Sequence, residues 1–141
     1  DIIEKLLTSE INLGSQIRKL VEEDILIVSP YNLQVYEIGK RLGEKFRVGT
    51  VDKFQGKEAP VVIYSMTTSN ENCIPAGRED FIFKPNRLNV AVSRAQCLAI
   101  VLANEELVDT RTNQIGTMEH LNHLCRYFSD EGVASRLKIA D

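Results

Sequence analysis

The chain has 141 residues, 43% of them hydrophobic, which is the size and content of a single folded core. No apolar run reaches the roughly 18 residues that cross a bilayer and the first residues lack the charged-then-apolar order of a secretory leader, so the expectation is a soluble cytoplasmic protein with no membrane partner. A formal net charge of -3 excludes attraction to nucleic acid over the whole surface and leaves room only for a local contact.

Asp1 to Leu7 repeats its apolar residues at helical spacing, and Glu10 to Glu23 is polar and poorly patterned, which predicts a short helix followed by a loop. Asp24-Ile-Leu-Ile-Val-Ser29 is a continuous apolar run of the kind covered on both faces in a parallel sheet. Pro30-Tyr31 ends it, and Asn32 is a candidate cap for a helix to about Leu42, with Val35, Ile38 and Leu42 on one face before Gly43. Phe46 to Thr50 reads as a shorter strand and Val61 to Met66 as another buried one. Thr67 to Lys84 is a long irregular stretch, Asn86 to Ala95 an apolar-faced helix with arginines near both ends, and Leu98 to Ala103 a further strand. Met118 to Phe128 carries a helical stripe of Leu121, Leu124, Tyr127 and Phe128. Strands alternating with helices predict an α/β fold with a mostly parallel central sheet flanked by helices.

Several chemistries lose support. A phosphate-binding loop needs Gly-x-x-x-x-Gly-Lys followed by Ser or Thr, yet Val51 stands five before Gly56, and Lys57 is followed by Glu58. The chain alone is therefore expected not to hydrolyse a nucleotide. No nucleophile elbow and no dinucleotide fingerprint occurs. His120 and His123 share a helix face, but Cys125 points elsewhere and no acidic ligand is near, so no metal site is expected. Cys73, Cys97 and Cys125 are odd in number and widely spaced, as suits reduced thiols, and Cys97, in its apolar run, is expected in the core. The acidic pairs Glu22-Glu23, Glu79-Asp80 and Glu105-Glu106 read as solvated loop charge.

Two polar segments stand out: Gly49-Thr-Val-Asp-Lys-Phe-Gln-Gly-Lys-Glu58 before a buried strand, and Asn86-Arg-Leu-Asn-Val-Ala-Val-Ser-Arg-Ala95 before another. They resemble motifs five and six in the second RecA-like domain of superfamily-one helicases, most closely the branch of the RNA-surveillance helicase and the nuclease-helicase fusions. Pro30-Tyr31 with Gln34 is similar to that branch's motif four, and the three follow the family order within residues 24 to 103. The resemblance implies a RecA-like three-layer sandwich over residues 1 to 141, a second motor domain cut from a longer protein. Its missing first RecA-like domain would hold most of the ATP and Mg2+.

The resemblance also assigns roles. Arg94 takes the place of the motif-six finger that stabilises charge on the γ-phosphate, a planar fork that lysine cannot copy; a surface salt bridge is the plain alternative. Glu58 falls at the acid that accepts from the nucleotide ribose, with Gln55 and Gly56 as the turn before it. Arg87 faces the nucleotide, or pairs with an acid such as Asp52 or Glu58 to hold the two motifs together. Thr50, Lys53, Tyr31 and Asn32 would line the nucleic-acid side, gripping phosphates without reading bases, although a tyrosine beside a strand end is as often a core edge. The expected activity is ATP-driven movement on, or unwinding of, nucleic acid, with DNA as the expected polymer and its single strand as the expected partner. A noncatalytic nucleic-acid-binding or assembly module remains open, as does a parent with an added nuclease domain.

Overall fold

A computed structural model describes residues 2–14, 16–66, 83–107 and 115–129. They belong to two compact units, Asp1–Thr67 with Arg87–Leu102, and Thr68–Asn86 with Ala103–Asp141. Most of the irregular stretch expected from Thr67 to Lys84, with Cys73 and Glu79-Asp80, lies outside the described residues.

The first unit opens with helix α1 (Ile2–Leu7), as expected, but the polar stretch after it is not a loop. Strands β1 (Glu10–Asn12) and β2 (Ile17–Lys19) pair antiparallel, Ile11 opposite Arg18. The hairpin escapes the sequence because each strand is three residues long and only Ile11 is buried, leaving no alternation to read. Its turn is built at Gly14, where φ is +82° and the amide donates to Asn12 Oδ1 at 2.9 Å.

Strand β3 (Ile25–Val28) is buried throughout. It is flanked by β4 (Arg47–Gly49) on one side and β5 (Ala59–Ser65) on the other, with β6 (Ala95–Leu102) beyond β5, all parallel in the order β4-β3-β5-β6. This order dictates the layers. The chain leaves β3 through helix α2 (Asn32–Leu42) to reach β4, and leaves β5 through helix α3 (Pro85–Val92) to reach β6 in the opposite direction across the sheet. Parallel crossovers are right-handed, so steps in opposite directions put their helices on opposite faces. One face accordingly carries Ile25, Ile27, Val48, Val61 and Ile63 under α1, the hairpin's Ile11 and α2's Val35, Ile38 and Leu42. The other carries Leu26, Val28, Val62 and Tyr64, all buried. The result is the expected α/β sandwich of RecA type.

Two local expectations change. Asn32 is the first residue of α2 and not its cap; Tyr31 holds the cap position and makes no side-chain capping bond. Cys97 is exposed, not in the core. Among the described residues β6 is an edge strand, and it spans four residues, Ala95 to Leu98, where β5 spans three, Ala59 to Val61, a bulge at which Cys97 stands exposed.

In the second unit a 3₁₀ turn at Glu105–Leu107 precedes helix α4 (Ile115–Ser129). Its buried side chains are Thr117, Leu121 and Leu124, while Tyr127 and Phe128 meet edge to face with centroids 5.7 Å apart. No described helix is long and apolar enough to cross a membrane.

Candidate functional site

In a parallel sheet all strands point the same way, so a residue's position before or after its strand tells at which end it stands. The expected site residues divide between the two ends. Glu58 directly precedes β5 and Arg94 directly precedes β6, and these strands begin side by side with Ala59 opposite Ala95. Tyr31 and Asn32 follow β3, and Thr50 follows β4, at the other end.

At the strand-start end, Arg94 is fixed by its main chain: its amide donates to Ala91 O at 3.2 Å and its carbonyl accepts from Ala59 N at 3.0 Å. Motif six is thereby tied to the residue after Glu58. The guanidinium is half-buried, and its Nε is buried with no hydrogen-bond partner among the described residues. A buried donor of this kind is costly unless an acceptor completes it, which suits an incoming anion. Glu58 is exposed, and its Oε2 accepts from Gln96 Nε2 at 3.3 Å. Gln96 was not singled out in the sequence because it lies outside the motif-six pattern.

Gln55 and Gly56 form the turn before Glu58 and both are exposed. Gln55 has φ -56° and ψ 126°, Gly56 has φ +75°, and Lys57 N donates to Phe54 O at 3.0 Å. These are the angles of a type II turn, whose third residue must take a positive φ. Glycine is thus required here by conformation, since an added Cβ would meet nothing within 4 Å.

The other end is assembled by α3, which runs back against the strands and carries Arg87 in its first turn, while Arg94 lies two residues past its end. Arg87 is not beside Arg94. Its Nη1 lies 3.9 Å from Asp52 Oδ2, an open contact in which the arginine side chain is 24% exposed and the aspartate 80%. Of the two acids weighed from the sequence, Asp52 is the one approached. Arg87 also acts on Tyr64: burial pushes the phenol up to about 12, the Arg87 charge opposes that rise, and Tyr31 adds to it. Tyr31, Tyr64, Arg87 and Asp52 therefore gather motifs four, five and six at the ends of β3 and β5.

Lys53 is exposed, with its head group tied back to the main chain of β4. Its Nζ donates to Val48 O at 3.1 Å and lies 5.7 Å from the Phe54 ring centroid, while Arg47 stands 6.0 Å from the same ring. Gly49 makes this packing possible, because a Cβ there would come within 2.6 Å of Lys53 Cδ and 2.7 Å of Phe54 Cε2. Thr50 is half-exposed and Asn32 exposed.

The sequence also missed the polar bridge beneath Tyr31. Ser29 Oγ donates to Gln34 Oε1, and Gln34 Nε2 donates to Ser65 Oγ at 3.0 Å. Gln34 was visible only as a motif letter; its partner lies 31 residues away, beyond the reach of local pattern. His120 is half-buried and His123 exposed, and no group of three metal-ligating side chains is gathered among the described residues.

A RecA-type sheet with these three motifs in order defines a nucleotide-dependent motor fold. Residues 1–106 match the AAA domain family, and the chain belongs to it. It is similar to a Danio rerio protein named as a candidate helicase, mov-10-B.1, with 34% identity over 82% of this chain and 12% of that protein. It is similar to DNA polymerase alpha-associated DNA helicase A of Saccharomyces cerevisiae, 34% identical over 66% of this chain and 14% of the relative. DNA-binding protein SMUBP-2 of Mesocricetus auratus is 34% identical over 77% of the chain and 10% of its own length. The chain thus spans between 10% and 15% of the lengths of the curated relatives it matches. It is a RecA-like domain of the superfamily-one helicase kind.

Proposed function

We propose that this chain is the second motor domain of an ATP-dependent superfamily-one helicase, working against a first RecA-like domain of the same polypeptide. The observation that carries the reading is Arg94, held by its main chain at the start of β6 beside the Glu58 strand, with a buried Nε that no described residue completes. In the closed state its guanidinium meets the γ-phosphate of ATP held by the first domain and stabilises the charge that develops there, a role worth about 10³ to 10⁵ in rate. Glu58 accepts from the ribose hydroxyls, and the Gln55–Gly56 turn shapes the approach. Mg2+ neutralises the phosphates when bound, and its ligands belong to the first domain. The chain alone is inactive.

Nucleic acid runs across the opposite end of the sheet, over Tyr31, the first turn of α2 with Asn32, and Thr50. Hydroxyls and helix amides there hold phosphates regardless of base, as a motor that must pass any sequence requires. The names of two relatives, a DNA helicase and a DNA-binding protein, favour DNA as the polymer; a motor that grips one phosphate chain takes it single-stranded, with translocation or unwinding as the output. The cytoplasm is its compartment.

The test is the ATPase rate of the full-length protein with single-stranded DNA, with single-stranded RNA and with neither. Stimulation by DNA, abolished in Arg94→Ala with ATP binding only modestly weakened, is the expected result. An Arg94→Ala protein that turns over ATP at the wild-type rate removes the finger assignment; a wild type indifferent to both polymers favours a noncatalytic binding module.

A further inference from the structure

In a doubly wound sheet, ligands collect beyond the carboxyl ends of the strands where the winding reverses direction. Here that reversal falls between β3 and β5, because the chain steps from β3 to β4 one way and from β5 to β6 the other. The last residue of β5 is Ser65, and Ser29 directly follows β3. Gln34 reaches from α2 into the gap between them, accepting from Ser29 Oγ and donating to Ser65 Oγ at 3.0 Å. An amide offers an acceptor and a donor on a single rigid plane, so it can satisfy both hydroxyls at once.

The bridge extends further. Ser29 is 0% exposed; its amide donates to Gly49 O at 3.1 Å, next to Thr50, and its Oγ lies 3.4 Å from the Tyr31 amide that donates to it. The ends of β4, β3 and β5 are thus laced together below Tyr31, Asn32 and Thr50. Helix α2 has no side-chain cap and no fully buried residue, and Val35, Ile38 and Leu42 anchor it only from its second turn onward.

We propose that Gln34 is a positioning residue that holds the α2 entry and the Thr50 loop in register for gripping the phosphate chain of single-stranded nucleic acid. The inference rests on the motor reading above and adds to it a residue that touches neither ATP nor polymer. Because Ser65 and Glu58 stand at opposite ends of the same strand, loosening Gln34 disturbs the polymer end and leaves the nucleotide end in place.

The experiment titrates the ATPase of the full-length protein with a single-stranded oligothymidylate in wild type, Gln34→Met and Ser65→Ala, and in the double variant. Met keeps the length and bulk of Gln34 without its hydrogen bonds. The half-saturating oligonucleotide concentration should rise roughly tenfold in Ser65→Ala, which loses one hydrogen bond, at least as much in Gln34→Met, which loses two, and no further in the double than in Gln34→Met, because the Ser65 bond is shared by the pair. The unstimulated rate and the KM for ATP should stay at wild-type values. Should Gln34→Met fail to give a cooperative unfolding transition, Ser65→Ala, which removes only a hydroxyl, reads the same split. A wild-type half-saturation in the variants, or an equal fall of stimulated and unstimulated rates with half-saturation unmoved, overturns the proposal while the motor reading stands. A wild type that neither binds nor responds to the oligonucleotide overturns the motor reading and this inference with it.

Discussion

Gly56 and Tyr64 show what single side chains decide. At Gly56 the turn needs φ near +75°, a region where a Cβ costs about 1–2 kcal/mol. Gly56→Ala should therefore destabilise the protein by about 1 kcal/mol in urea unfolding even though the methyl would touch nothing, and an unchanged midpoint would show that the turn relaxes to another type. Tyr64 makes a prediction in pH. Its phenol is pushed from 10.0 to about 12 by burial, so between those values the folded state keeps a proton that the unfolded chain has lost. Stability is then fully present below about pH 10 and falls as pH rises toward 12. The highest-pH step in the tyrosinate absorbance should vanish in Tyr64→Phe, and in Arg87→Met it should move to still higher pH, since the Arg87 charge favours the phenolate. A step unmoved by Arg87→Met would mean that the arginine does not face the ring. The sequence showed why Gly56 is a glycine, because the motif sets it in a turn. It left Arg87 between two acids, because contacts across 35 residues of chain depend on how α3 lies on the sheet.

Among the elements, those with a strong period were legible and those held by pairing were not. β3, β5 and α2 announce themselves as apolar runs or stripes, and their order in the chain already implies the parallel sheet. The β1–β2 hairpin does not, since its hold on the sheet combines the packing of Ile11 with one ion pair, neither of which makes a periodic pattern. Arg18 Nη2 donates to Asp24 Oδ1 at 2.7 Å, Nη1 donates to Asp24 Oδ2, and Val21 N donates to Oδ2 at 3.0 Å. In the sequence Asp24 is only the first letter of an apolar run, and nothing there shows that it is held by Arg18 and 7% exposed. The Arg18 hydrogen bonds hold its carboxyl below the ordinary value of 3.8, against the opposing effect of burial. A depressed carboxyl stabilises the fold above its unfolded value, and that contribution is lost as pH drops below about 4 through the folded value. Asp24→Asn should cost about 1–2 kcal/mol at about pH 7 and less at a pH below the depressed value of the folded carboxyl, where the wild type loses the same charge. A loss equal at both pH values would assign the effect to packing and not to the pair. Cys97 failed as a core residue for a related reason: the apolar run of β6 was read as a covered strand, and a bulge on an edge cannot be seen in a run of letters.

For the molecule as a whole, the decisive feature is that the two candidate ends are joined by one strand. β5 begins after Glu58 and ends at Ser65, a span of about 20 Å for its seven residues, too long for direct contact between Glu58 and Thr50. Glu58→Gln and Thr50→Ala should consequently add in unfolding free energy to within about 0.5 kcal/mol. Polymer-stimulated turnover should behave differently. A motor in which polymer binding biases domain closure joins its two sites by a coupling free energy, typically about 1–3 kcal/mol, and removing either partner removes the same coupling. The double variant should then be less impaired in stimulated ATPase than the product of the two single losses, while stability stays additive. The cycle needs four proteins, each measured by urea unfolding and by ATPase with and without oligothymidylate. If turnover multiplies as simply as stability adds, the two ends work independently and β5 transmits nothing. A coupling confined to turnover means instead that the link is made only in the closed, polymer-bound state, in which Arg94 at one end of the sheet answers to what is gripped at the other.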